Sequence, residues 1–356
     1  MGALLAAAVL VAGCASASER EWQVAADPHA TADQIIDAGH AADVATGADQ
    51  MVVTWEVDPE DDEGPSQGAW RLYDRDKGNV ADGTFGTVRE ANGSIDVVAL
   101  RDGFLLTDYV KHRRHFLDRS GTLTPADLST AKPGSYLAGG IIAESAPDRP
   151  GEPGWEVVLP DKRVVRLADL PTTQPQAVEL TSDGTVWVLL PWTERGPFRI
   201  AHAKNGKAPW TTETIPLPRG SATDGEGISA HGDRLFVVAS HERGDRLPVD
   251  TILARQTGEK GWERIDASGI ADDLTSSPRV AVLPKGGLVA SAGGEGVWVQ
   301  DDDGEGFTAL RPPGTNRHSS PTVQQEGLWL WASDQGSSNE LHYSYSSGET
   351  WREFRR

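Results

Sequence analysis

Residues 181–190 read TSDGTVWVLL, a polar turn that leads directly into a run of apolar residues. The Asp-Gly pair favours a tight turn, because glycine adopts positive φ without steric cost and aspartate can bind nearby backbone amides. The run that follows, rich in Val with one Trp, is typical of a short β-strand. The stretch therefore predicts a β-hairpin.

The same pattern recurs along the chain. Related stretches are LRDGFLLTD (100–108), AHGDRLFVVAS (230–240), LPKGGLVASAG (283–293) and QQEGLWLWAS (324–333). Their marker glycines, including that of the opening stretch, are Gly103, Gly184, Gly232, Gly286 and Gly327, and they span 224 residues. If the first interval holds one poorly marked unit, the mean period is about 45 residues.

Aromatic residues provide a second landmark with the same period. Each follows a glycine-containing polar turn, and the four are Trp210, Trp262, Phe307 and Trp351, at intervals of 52, 45 and 44 residues. A repeat of about 45 residues built from four short strands is typical of a β-propeller blade. We expect an all-β fold, a β-propeller of seven four-stranded blades over residues 45–356, with six or eight blades as alternatives.

The stretch SYSSGETW (344–351) resembles the Asp-box, or BNR, motif of sialidase-like propellers, and QDDDGEGF (300–307) resembles a second copy. Ser346 stands where Asp is usual, Gln300 replaces Ser, and Phe307 replaces Trp. The corresponding positions are Ser344, Ser346, Gly348 and Trp351 in one copy and Gln300, Asp302, Gly304 and Phe307 in the other. The resemblance implies a structural turn between the third and fourth strands of a blade, with the aromatic ring packed between sheets and the ligand site on the opposite face.

The N-terminus resembles a bacterial lipoprotein signal. Residues 4–12 are apolar but far too few to span a bilayer, and residues 11–14 read VAGC, similar to a lipobox whose cysteine receives the lipid. We expect a signal peptide over 1–13, then lipidated Cys14 and a spacer over 14–44, with Trp22 on an additional edge strand. The protein would be a lipoprotein, anchored through Cys14 on the extracytoplasmic side of a bacterial membrane.

Charge and composition limit the partners. The net charge of −20 repels nucleic acid, and we expect no nucleic-acid partner. No His or Cys spacing indicates a metal site, and we expect no metal, no cofactor and a monomeric protein.

The loops expected at the ligand face are richer in Arg and His than the rest of the chain. Guanidinium groups at the mouth of a propeller would bind carboxylate or phosphate, although solvated polar loops explain the same composition. The candidate ligand-binding residues are Arg195, Asp224, Glu226, Arg243, Arg279, Arg317 and His318.

A sialidase-like enzyme needs a tyrosine nucleophile with a glutamate partner, which none of the five tyrosines offers in an evident way. No other catalytic motif is present. We therefore expect no catalytic residues and a non-catalytic propeller that binds a protein or glycan ligand. The alternatives are a sialidase-like glycoside hydrolase or lyase, using Asp224, Glu226 and Glu242 with Arg279 and Arg317, and a purely structural assembly platform.

Overall fold

The computed structural model describes residues 17–47, 49–59, 66–87, 95–100, 102–108, 113–126, 136–145, 154–167, 169–191, 197–221, 223, 227–241, 246–283, 287–292, 295–300, 304–310, 321–324, 327–330, 341–343 and 352–354. These residues form two helices and seven antiparallel sheets, which we number in chain order. The helices are α1 (Ala17–Ala25) and α2 (Ala32–Ala38). Neither helix is long and apolar enough to cross a membrane, in a search of the described residues.

Each sheet consists of strands that are consecutive in sequence. Sheet 1 contains β1 (His40–Thr46), β2 (Gln50–Val57), β3 (Gln67–Asp74) and β4 (Gly78–Thr87). Sheet 2 contains β5 (Ile95–Leu100), β6 (Gly103–Asp108), β7 (Arg113–Asp118) and β8 (Leu123–Pro125). Sheet 3 contains β9 (Ile141–Ser145), β10 (Gly154–Val158) and β11 (Val164–Arg166).

The second half of the chain continues in the same way. Sheet 4 contains β12 (Ala177–Leu180), β13 (Thr185–Leu189), β14 (Arg199–Lys204) and β15 (Thr211–Thr214). Sheet 5 contains β16 (Ile228–His231), β17 (Arg234–Ser240), β18 (Val249–Gln256) and β19 (Glu263–Ile265). Sheet 6 contains β20 (Arg279–Val282), β21 (Leu288–Ala292), β22 (Gly296–Gln300) and β23 (Thr308–Leu310). Sheet 7 contains β24 (Pro321–Gln324), β25 (Gly327–Leu330), β26 (Leu341–Tyr343) and β27 (Arg352–Phe354).

The sheets are arranged in a ring. First strands contact one another in series, as β1 contacts β5, β12 contacts β16, and β16 contacts β20. β24 contacts both β21 and β1, so the last sheet meets the first. The fold is an all-β propeller with four-stranded blades.

The predicted number of seven four-stranded blades is wrong for the described residues, which form six four-stranded blades and a third sheet of three strands. β9 has the position of a second strand, because it contacts β12 as β2 contacts β5 and β17 contacts β20. No described residue fills the innermost position of sheet 3. Residues 127–135, which precede that sheet, lie outside the described residues.

Residues 181–184 form the expected hairpin turn between β12 and β13. Asp183 accepts hydrogen bonds from the Thr181 hydroxyl (2.8 Å) and the Thr185 amide (3.0 Å), and Gly184 has φ of +86°. Every residue of β13 is buried, because second strands pack between two neighbouring sheets.

Apolar clusters join consecutive sheets around most of the ring. Such clusters lie between sheets 1 and 2, 2 and 3, 3 and 4, 4 and 5, and 5 and 6. Each fully buried Leu, Ile, Val or Phe side chain contributes roughly 1.5–3 kcal/mol relative to an exposed one. Side chains packed between sheets therefore hold most of the ring together, with a few backbone hydrogen bonds between neighbouring sheets, such as that from the Ser182 amide to the Gly232 carbonyl.

The predicted position of the periodic aromatic residues is confirmed at three sites. Trp210, Trp262 and Phe307 directly precede the fourth strands β15, β19 and β23. Phe307 is buried between sheets 5 and 6. Trp262 is partly buried against the cluster between sheets 4 and 5, and Trp210 against the cluster between sheets 3 and 4. Trp351 lies outside the described residues.

The turn before Phe307 is fixed by the residues that resemble an Asp-box. Gln300 is buried, and its amide group donates to the carbonyls of Asp266 (3.2 Å) and Gly304 (3.3 Å). The Phe307 amide donates to the carbonyl of Ser268 at 2.6 Å. The turn thus attaches sheet 6 to the segment that follows sheet 5. Asp302, Ser344, Ser346, Gly348 and Trp351 lie outside the described residues.

The span 14–44, predicted to be a spacer, contains both helices and the start of β1. Thr31 caps α2 through a capping box with Gln34, and Ile35 and Ile36 are completely buried against sheet 1. Trp22 lies on α1 and not on a strand. β1 thus begins at His40, before the propeller boundary predicted at residue 45. Helices of seven to nine residues are hard to predict from sequence, because packing against the rest of the protein stabilises them.

Candidate ligand-binding site at the upper end of the ring

The two ends of the ring differ in the segments that form them. We call the end at which the first strands begin the upper end; there the linkers between sheets meet the loops that join second and third strands. Turns between first and second strands lie at the lower end, where the Ser182 amide donates to the Gly232 carbonyl of the next sheet at 2.6 Å. Propeller ligands bind to loops, and the longer connections of this chain lie at the upper end.

Three segments of sheets 4, 5 and 6 interlock at the upper end. The Ser221 hydroxyl, in the linker between sheets 4 and 5, donates to Asp250 Oδ2 at 2.7 Å. The Leu247 amide, in the loop of sheet 5, donates to the Leu274 carbonyl in the next linker at 2.6 Å. We call the resulting surface, formed by Ser221, His241, Asp250, Thr275, Arg279 and Glu295, the upper patch.

His241 is held in place on two sides. Its Nδ1 lies 3.4 Å from Asp250 Oδ2, and its side chain is 44% exposed. The imidazole of His241 packs against Gly220, which has φ of +89°, and a Cβ at position 220 would lie 2.8 Å from His241 Cε1. Glycine is required at position 220 both for the backbone conformation and for the space.

Arg279 connects three first strands across the ring. Its Nη2 donates to Glu179 Oε1 at 2.6 Å, and Glu179 Oε2 accepts from the Ala230 amide at 3.2 Å. Glu179 lies on β12, Ala230 on β16 and Arg279 on β20. The Arg279 side chain is 56% exposed and that of Glu179 only 15%. Burial raises the pKa of Glu179, while the charge of Arg279 and the Ala230 amide act in the opposite direction.

Similar side-chain ties occur between other first strands. Asp43 Oδ2 on β1 accepts from the Val97 amide on β5 at 2.8 Å. Ser229 Oγ on β16 accepts from the Val280 amide at 3.1 Å and donates to the Val280 carbonyl at 2.8 Å. A first strand is a sheet edge with unpaired backbone groups, and these side chains satisfy some of them. Burial raises the pKa of Asp43 to about 7.

Glu295 extends the upper patch towards the loop of sheet 6. Its two carboxylate oxygens accept from the Thr275 amide at 2.8 and 2.9 Å, and the Thr275 hydroxyl donates to Oε1 as well. Thr275 lies in the linker between sheets 5 and 6. The patch therefore combines carboxylates, hydroxyls, an imidazole and a guanidinium on segments fixed to one another.

One of the seven predicted ligand-binding residues, Arg279, lies in the described part of the chain and in the upper patch. The other six lie outside the described residues: Arg195, Asp224, Glu226, Arg243, Arg317 and His318. The described residues next to two of these groups are Thr223 and Gly227, on either side of 224–226, and His241 and Arg246, on either side of 242–245. The Ser221–Asp250 bond joins the linker and the loop that carry these two groups.

The sequence analysis did not select Glu179, Ser221, His241, Asp250 or Glu295. Ser221 and His241 belong to polar stretches already expected at the ligand face, so their positions could have been found. Glu179 and Asp250 lie on strands, and nothing in the local sequence indicates partners 100 and 29 residues away.

The described residues offer little support for tyrosine-based catalysis. Tyr73 is buried on β3, and burial raises its pKa to about 12, which opposes formation of a phenolate nucleophile. Tyr136 is 68% exposed at the lower end. Tyr109 and Tyr345 lie outside the described residues, as does the side chain of Tyr343. Within the described ranges, no group of three or more His, Cys, Asp or Glu residues could hold a metal ion.

No protein-family model matches this chain, and no curated protein matches it. Among solved structures, it is similar to a puromycin hydrolase, with a TM-score of 0.56 and 14% identity over 89% of this chain and 53% of that chain. It is also similar to a Mycobacterium tuberculosis puromycin-hydrolyzing peptidase, with a TM-score of 0.56 and 12% identity over 96% of this chain and 55% of that chain. The β-propeller domain of the Trilobed protease from Pyrococcus furiosus matches with a TM-score of 0.49 and 9% identity, over 89% of this chain and 98% of that chain.

This chain spans about half the length of the first two solved chains. At identities this low, structural similarity shows the fold alone. The similarity to these two chains therefore concerns the fold, and the propeller arrangement itself follows from the sheets of this chain.

Proposed function

We propose that this protein is a lipid-anchored, extracytoplasmic β-propeller that binds a ligand or protein partner at the upper patch, without catalysis. The observation that carries the proposal is that His241 and Arg279 are both partly exposed and are each held by a carboxylate, that of Asp250 and that of Glu179. Side chains whose positions are fixed before binding lose less conformational entropy when a ligand arrives. The proposal also takes sheet 3 as the seventh blade of the ring.

Arg279 is the side chain most suited to contact a ligand. A guanidinium group carries five N–H donors, and the described residues provide Arg279 with one acceptor, Glu179. No described residue pairs with the opposite edge of the group, which can therefore bind a carboxylate, a phosphate or sugar hydroxyls. His241, held by Asp250 through Nδ1, presents the other ring nitrogen in the same patch.

A binding experiment tests this site. Isothermal titration calorimetry with sialyllactose, hyaluronate oligosaccharides and cello-oligosaccharides should identify a saturable ligand, whose affinity falls at least about tenfold in Arg279→Ala. Arg163→Ala is the matched control, because Arg163 is a half-exposed arginine paired with Asp161 at the lower end. Equal losses in both variants would contradict the proposed site.

Hydrolysis of aryl glycosides by the wild type, abolished in Arg279→Ala, would instead support the glycoside hydrolase alternative. If no glycan binds, a photo-crosslinking residue at position 246 should trap a protein partner in intact membranes more efficiently than one at position 136. Equal trapping at both positions would contradict a partner site at the upper patch.

The membrane anchor is tested separately. We expect the wild type to partition into the detergent phase of Triton X-114 and to incorporate radiolabelled palmitate, and Cys14→Ser to do neither. Unchanged partitioning of Cys14→Ser would contradict lipidation and leave the binding site unaffected.

A further inference from the structure

We propose that the ring has a seam between sheets 1 and 7 and that α1 and α2 are the clasp that keeps this seam closed. Many closed rings of sheets are completed by a strand from one chain end that joins the sheet formed by the other end. Here sheet 1 consists of β1–β4 and sheet 7 of β24–β27, so the described residues show no strand shared between them. Within the described strands, backbone hydrogen bonds of a shared sheet therefore do not hold the two ends together.

Among the described side chains, sheet 1 differs from sheets 2 to 6 in the elements that pack on its two faces. One face packs on sheet 2 through Val52, Trp70 and Leu72. Sheets 2 to 6 each pack against the preceding sheet through an apolar cluster. As far as side chains are described, the corresponding face of sheet 1 is covered by α1 and α2, where Ile35 and Ile36 contact the cluster of Val53, Trp55 and Val57.

Polar contacts fix the helices to the same sheet. The Arg71 guanidinium on β3 is only 7% exposed and forms an ion pair with Asp33 of α2; Asp82 lies 3.6 Å away. The Gln67 side chain donates to the Ala25 carbonyl at the end of α1, at 3.3 Å. Gly39 connects α2 directly to β1, and its amide donates to the Ile35 carbonyl at 2.7 Å.

The clasp is connected directly to β1, the strand that contacts β24, so its packing affects the position of β1. Because α2 continues into β1 after a single residue, loss of helix packing releases the start of β1. The strand-to-strand contact between β1 and β24 then lacks lateral support. Opening of the ring should begin at this seam and not at the junctions between sheets 4, 5 and 6.

Hydrogen–deuterium exchange of the full chain, followed by mass spectrometry, tests the clasp. In Ile36→Ala we expect exchange in β1 and β24 to increase about tenfold or more, while β17 and β21 keep wild-type rates. Ile270→Ala removes another buried isoleucine, between sheets 5 and 6, and should increase exchange there but not at the seam. Asp33→Asn, which weakens the Arg71 ion pair with little risk to folding, should give a smaller increase in the same two strands.

Three results would overturn the proposal. Wild-type exchange in β1 and β24 of both clasp variants would show that the helices do not support the seam. A seam increase of the same size in Ile270→Ala would show that any core cavity opens it. A uniform increase across all sheets in both clasp variants would show that the ring unfolds as one unit.

Discussion

Glu179 and Arg279 lie 100 residues apart in sequence, on β12 and β20, and form a hydrogen bond of 2.6 Å across the upper end of the ring. The two partners are unequal, because Glu179 is mostly buried and Arg279 is mostly exposed. Glu179 also satisfies the Ala230 amide of the strand between them. The carboxylate therefore organises the contact, and the guanidinium remains available to a ligand.

This inequality predicts different costs for removing each partner. Glu179→Ala leaves the Ala230 amide without an acceptor and should lower the free energy of unfolding by about 1–3 kcal/mol. Arg279→Ala removes a half-exposed ion-pair partner and should cost less than about 1 kcal/mol. Urea unfolding followed by tryptophan fluorescence measures both, and a larger loss in Arg279→Ala would contradict this assignment of roles.

Asp43 predicts a specific dependence of stability on pH. Its folded-state pKa is raised to about 7, so the folded protein keeps this proton over a range in which the unfolded chain has lost it. The contribution of Asp43 to the free energy of unfolding therefore falls as pH rises from about 4 to about 7, by an amount on the order of 3 kcal/mol.

The variant Asp43→Asn resembles the protonated side chain and cannot ionise. Its free energy of unfolding, relative to the wild type, should therefore rise between pH 4 and pH 8 in urea unfolding experiments. The control is Asp118→Asn at the exposed lower end, where hydrogen bonds from Ser120 and Thr122 lower the pKa of Asp118. A difference for Asp43→Asn that is constant with pH would contradict a raised pKa of Asp43 in the folded protein.

Two glycines with the same backbone conformation separate strain from packing. Gly258 and Gly269 have φ of +87° and +88°, but a Cβ at position 258 meets nothing within 4 Å, whereas one at 269 would overlap the Phe307 carbonyl. Gly258→Ala should cost about 1–2 kcal/mol for the left-handed conformation alone. Gly269→Ala should cost at least about 2 kcal/mol more in thermal or urea unfolding, and equal losses would show that the turn before Phe307 moves freely.

The aromatic residues before the fourth strands should stabilise the ring according to their burial. Phe307 is buried between sheets 5 and 6, and Phe307→Ala should lower the free energy of unfolding by about 3–5 kcal/mol. Trp210 is only partly buried, although its indole N–H donates to the Asp169 carbonyl at 2.8 Å. Trp210→Phe keeps most of the aromatic side chain and should lower the free energy of unfolding by about 1–2 kcal/mol, mainly through the lost hydrogen bond. A smaller loss in Phe307→Ala than in Trp210→Phe would contradict the contribution of the buried Phe307 side chain to the packing of sheets 5 and 6.

Several features of the fold could be predicted because their causes are local. The Asp183–Gly184 turn and the apolar run of β13 act within ten residues, and aromatic residues mark the start of β15, β19 and β23. A period of about 45 residues then implies repeated sheets. The short helices escaped the sequence analysis, because α1 and α2 depend on burial of Ile35 and Ile36 against a distant sheet.

The sequence alone determined the hairpin at residues 181–190, the period of about 45 residues and the aromatic residues that precede β15, β19 and β23, since turn chemistry and side-chain alternation act over a few residues. Only the tertiary structure decided that Glu179 meets Arg279, that Ser221 meets Asp250 and that Arg71 meets Asp33. These pairs are separated by 29 to 100 residues, and their contacts follow from the closure of the ring. No local pattern encodes that closure, because it depends on how all the sheets pack around one axis.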